Sequence, residues 1–101
     1  MAGVLLLAGC GAAEPDSARI YFKTDAPFCG RLVIDKTIDG AVRARDTVAS
    51  GQLSPPYTVT PGPHVIGAGA VFFSGTIPWP DTTVNVSAGD SVTRILPFYC
   101  S

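Results

Sequence analysis

Histidine, methionine and tryptophan each occur once in this chain of 101 residues, and charged side chains make up only 15% of it. A lone histidine, His64, among scattered carboxylates is not a zinc set. As a general base it would need a nucleophile and an orienting acid, and nothing in the spacing selects them from Ser54, Ser74 and Asp81. The seven basic residues are spread out, with Arg43 and Arg45 the only near neighbours, which argues against nucleic acid as a partner. Leu, Glu and Lys are scarce beyond the first ten residues, so helices are not expected, and no glycine-rich phosphate loop opens onto one. Asp35-Lys36-Thr37-Ile38-Asp39 lacks oxygen ligands at the alternate positions that a calcium loop requires. No catalytic residue, metal or cofactor is therefore expected. The apolar run Ala2 to Ala8 is also well short of the roughly 18 to 20 residues that span a bilayer.

What the chain does have begins with that run, which ends in Leu7-Ala8-Gly9-Cys10. A peptidase must draw the bond before the cysteine into a tight groove, so the two preceding residues have to be small. An apolar segment of about 7 to 15 residues suffices for processing. This stretch resembles the lipobox of bacterial lipoprotein signal peptides. The resemblance implies that residues 1–9 are removed and that Cys10 becomes the first mature residue, carrying a diacylglyceryl group and labelled by palmitate. Residues 10–17, small, polar and proline-containing, would then be a tether. No Lys or Arg precedes Cys10, so the basic part of such a signal is expected upstream of Met1. Gly11, where an aspartate would retain the protein in the inner membrane, points to outer-membrane delivery, with the domain in the periplasm or at the cell surface. Read without the resemblance, Met1 to Ala13 is an apolar tail and Cys10 an ordinary thiol.

With Cys10 spent on lipid, Cys29 and Cys100 remain as an even pair in an exported chain, where disulfides persist. Their bridge would close a loop around nearly the whole mature domain, worth about 4 kcal/mol in the chain-entropy description. The alternative is two separate buried thiols.

From residue 18 to 101 the pattern is that of one all-β domain. Ile20 and Phe22 alternate with Arg19, Tyr21 and Lys23, and Leu32 and Ile34 with Arg31 and Val33. Val42, Ala44 and Val48 alternate with Arg43, Arg45 and Thr47. Asp39-Gly40 suits a tight hairpin, and Pro61-Gly62 suits a type II turn. Short strands are expected at Tyr57 to Thr60 and Thr82 to Val86, with longer ones at His64 to Phe73 and Ser91 to Tyr99. Gly67 and Gly69 predict close packing or a bulge. Ser74 to Asp81, with Pro78-Trp79-Pro80, is expected to be a loop. About seven strands at roughly ten-residue spacing predict an antiparallel sandwich or barrel.

Tyr57-Thr-Val-Thr-Pro-Gly-Pro-His64, followed by an apolar strand and by Val84-Asn-Val-Ser-Ala-Gly-Asp-Ser-Val92, is similar to the PEGA-type module of bacterial surface proteins. Pro63 stands where that module usually has a polar residue. The likeness covers about the C-terminal half of the mature chain. It implies an immunoglobulin-like or transthyretin-like sandwich that binds or presents at the cell envelope without catalysis. In such a module Pro61, Gly62 and His64 are structural, the histidine closing its turn through the backbone. The candidate surface for an envelope protein or a glycan is aromatic: Phe73, Trp79 and Tyr57. Trp79 is either exposed for binding or held between its prolines as a plug at the end of the sandwich.

Overall fold

The computed structural model describes residues 16–100. They form seven strands and no helix: β1 (Ala18–Asp25), β2 (Arg31–Ile38), β3 (Ala41–Ala49), β4 (Tyr57–Val59), β5 (Gly62–Phe72), β6 (Gly75–Val86) and β7 (Ser91–Pro97). One sheet has the order β4-β1-β7 and the other β3-β2-β5-β6. All pairings are antiparallel except β1 with β7, which is parallel over Arg19↔Ser91 to Asp25↔Pro97. The parallel pair arises because the chain changes sheets between β6 and β7, so β7 starts at the same end as β1. In immunoglobulin constant domains the first two strands share a sheet. Here they lie in opposite sheets.

The period of two in the sequence becomes the burial of the two sheets. β1 turns Ala18, Ile20, Phe22 and Thr24 inward, and β2 turns Leu32, Ile34, Lys36 and Ile38 inward. Phe22, Ile20, Ile34, Ile66 and Leu96 are the largest fully buried side chains. Each contributes about 1.5–3 kcal/mol relative to exposure, and together they join both sheets into one core.

Two expectations are corrected. The segment Ser74 to Asp81 is not a loop: β6 runs unbroken from Gly75 and carries Pro78, Trp79 and Pro80 within it. Prolines are tolerated there because β6 is the last strand of its sheet, with a free outer edge that needs no N–H. The pairing also slips, from Ile66↔Thr82 to Ala68↔Trp79, leaving Gly67 opposite both Pro80 and Asp81. This is the bulge that the glycines predicted, although side chains rather than a backbone come close. A Cβ on Gly67 would sit 2.5 Å from Asp81 Oδ1 and 2.6 Å from Thr37 Oγ1, and one on Gly69 would sit 2.6 Å from the Thr76 methyl.

The second correction concerns β3. A register shift between Lys36 and Thr37 divides its pairing with β2. Val42 falls beyond the shift and is 64% exposed, so it does not share the inner face with buried Val48.

The two ends of the sandwich differ. At the entry end, Ser17 O accepts from Gly89 N–H at 2.8 Å and Asp90 O from Arg19 N–H at 2.9 Å, which fixes the point where the chain joins the fold. The two-residue hairpin at Asp39 (φ 53°) and Gly40 (φ 82°) lies at this end, as do residues 60–63. The far end collects residues 26–30, the β5–β6 tip at Phe73-Ser74, and residues 98–100.

Candidate functional site

The far end is closed covalently. Cys29 and Cys100 form a disulfide with Cα atoms 5.2 Å apart across a sequence separation of 71. Cys29 lies in the loop after β1 and Cys100 just after β7, and the parallel pairing of those strands delivers both to the same place. Phe28 and Tyr99 flank the two half-cystines and are 82% and 87% exposed, while Phe73 at the hairpin tip is fully exposed. Beneath them lies a packed aromatic base. Phe98 is 5.6 Å from Phe72 and 5.8 Å from Trp79, ring to ring. Its own N–H donates to Asp25 O at 3.0 Å.

The expected trio of Phe73, Trp79 and Tyr57 is not brought together. Trp79 is half-buried in β6, meets Phe98 edge-on, and donates its indole N–H to Pro97 O at 2.6 Å. It links the open edges of β6 and β7. Tyr57 sits in β4 at the opposite edge of the sandwich, edge-on to Phe22 at 5.7 Å and beneath the Arg43 guanidinium at 5.6 Å. Phe73 alone of the three is free. Its exposed companions are Phe28 and Tyr99, which the sequence reading missed; the available signal was an aromatic residue adjoining each half of the predicted disulfide.

Buried polar groups hold the rest of the frame. His64, inward-facing near the start of β5, has Nδ1 2.6 Å from Asp39 Oδ2 and Nε2 2.6 Å from Thr60 O. Both partners are acceptors, so the ring that satisfies both is the imidazolium. Asp39 Oδ1 also accepts the Val65 N–H at 2.9 Å. The bond to Asp39, helped by that to Thr60, raises the pKa of His64, and the His64 bond followed by the Val65 N–H lowers that of Asp39. Neither Ser54, Ser74 nor Asp81 is hydrogen-bonded to His64. Ser54 Oγ accepts from Phe22 N–H and donates to Pro55 O.

Pro61 and Gly62 precede the histidine, and Gly62, at φ 121°, already pairs with Val86. Arg94 turns inward from β7 and donates to Ile66 O at 3.1 Å and Pro80 O at 2.7 Å, both beside the bulge. Lys36 is buried and paired with Asp46 at 2.9 Å. Among the described residues no three His, Cys, Asp or Glu side chains meet where they could hold a metal ion. Cys10, the expected lipidation site, lies outside the described residues.

Compared with known protein families and with curated proteins, the chain matches no family and no curated sequence.

Proposed function

We propose that this chain is a bacterial envelope lipoprotein, anchored through acylated Cys10, whose sandwich is a non-catalytic binding or structural module similar to the PEGA type. The observation that carries the reading is the opposition of the two ends. The chain enters the fold beside Ser17 and Gly89, while the exposed rings of Phe28, Phe73 and Tyr99 lie at the other end. A tether leading from Cys10 to Ser17 therefore presents those rings away from its anchor. The disulfide supports an exported location, and the Leu7-Ala8-Gly9-Cys10 stretch supplies the address. A glycan-binding role would run on Phe73 and its neighbours at the far end, since the Trp79 ring is committed to Phe98 and Pro97.

The test is acylation in a bacterial host, with the chain expressed behind a basic leader. Labelled palmitate enters the native chain, which then sediments with membranes. Cys10→Ser takes up no label and moves to the soluble fraction. A native chain that stays unlabelled overturns the reading.

A further inference from the structure

The apolar side chains that the fold leaves exposed are concentrated at one end. Phe28, Leu53, Phe73, Ile77, Ile95 and Tyr99 all lie at the far end or within about three residues of it, whereas Val42 and Val65 are the only large exposed hydrophobics elsewhere among the described residues. The three aromatics stand on separate loop tips rather than lining a groove, a shape suited to entering a deformable phase. The disulfide and the Phe72–Phe98–Trp79 base hold those tips at their roots.

Two basic side chains without partners stand at this end as well. Lys23 and Arg31 lie at this end, and neither side chain makes a hydrogen bond or ion pair. Asp25 is the one carboxylate side chain beside them among the described residues. At the entry end Asp16, Asp39 and Asp90 are balanced by Arg19, Arg43 and His64, with Asp39 engaged by His64 and Arg43 held at Thr58 O. A pocket of about 230 Å³ opens where β1 and β3 end, with Lys23, Asp25, Ser50 and Ile95 in its wall. An ammonium and a carboxylate in one small pocket match a headgroup carrying both a phosphate and an amine.

The chain's own leading segment is a poor occupant. Once residues 1–9 are removed, five residues lie between Cys10 and Asp16, and the span reaches about 20 Å when fully extended. The 12 residues of β6 extend about 40 Å at strand rise.

We infer that the far end is a bilayer-docking surface for a membrane facing the one that holds the anchor: Phe28, Phe73 and Tyr99 enter the interface of that phospholipid membrane while Lys23 and Arg31 meet its phosphates. Aromatic side chains at the headgroup boundary and basic residues above it are the two attractions that hold peripheral proteins at membranes. The surface is read from the fold alone; only the chain's presence at an envelope rests on the lipoprotein reading.

The test uses full-length Cys10→Ser, so that no acyl chain contributes, with vesicles of phosphatidylethanolamine and phosphatidylglycerol in a flotation assay. Binding falls at least about tenfold in Phe28→Ser/Phe73→Ser/Tyr99→Ser. It falls about fivefold in Lys23→Gln and in Arg31→Gln at low salt. Circular dichroism and the mass of the intact disulfide verify that these exposed substitutions leave the fold in place. In Phe73→Trp the new fluorescence shifts to the blue on vesicle addition and is quenched by brominated acyl chains. Equal binding by the triple variant would assign the affinity to the leading segment and overturn the inference. Self-association through the aromatic residues, without vesicle binding, would also overturn it. Both outcomes leave palmitate labelling of Cys10 untouched, so the two readings fail separately.

Discussion

At the scale of single residues, His64 ties two turns that are far apart in sequence, and it does so fully only when charged. A neutral imidazole can donate from one nitrogen, so either Asp39 or Thr60 O loses its proton donor on deprotonation. The pKa of His64 is raised in the fold, and its stabilising contribution is therefore complete below the ordinary value of 6.5 and declines as pH rises through the higher folded value. Asp39 has the opposite sign: its pKa is lowered, and its contribution fails only in acid, as pH falls below the ordinary 3.8. The native chain should lose resistance to guanidinium between pH 6 and 9, whereas His64→Gln should show a flat profile over the same range. Denaturation midpoints at each pH test this. The sequence gives no warning of the pair, since Asp39 and His64 are 25 residues apart and meet only because β5 returns alongside β2. Even so, a structural bond from His64 to nearby backbone was expected, and its acceptor is Thr60 O.

At the scale of elements, the strands were legible wherever one face is buried and the other wet, as in β1 and β2. Reading failed where an edge strand is exempt from that rule. β6 is exposed along most of its length, so its side chains do not alternate, and its prolines resemble those of a loop. β3 loses its alternation at the register shift after Lys36. The prolines have a use in β6: a bare edge of 12 residues offers a ready template for another chain, and Pro78 and Pro80 interrupt it. Replacing both with valine should leave the fold intact but allow edge-to-edge pairing, seen as concentration-dependent association in sedimentation. A variant that remains monomeric would mean that the bulge at Gly67 protects the edge unaided.

At the scale of the whole molecule, the fold class and the Cys29–Cys100 bridge follow from the strand pattern and an even cysteine pair. The far end does not, because its aromatics come from three segments that only the topology unites. The bridge spans 71 residues, and Cys29→Ser/Cys100→Ser should cost about 4 kcal/mol in denaturant unfolding. For a domain whose total stability is about 5–15 kcal/mol, that loss should leave the reduced chain close to unfolding in mild denaturant. The bridge also has a mechanical consequence. A pull between an anchor before Ser17 and a partner gripping Tyr99 travels along β1, crosses the sulfurs and leaves at Cys100. The whole excursion between the two cysteines is bypassed, and the force bears on the backbone of β1, an already extended strand braced by β7 along its length and by β4 at its start. A tug from outside would thus meet a short covalent path through one strand already drawn out, leaving the other six strands out of the line of force.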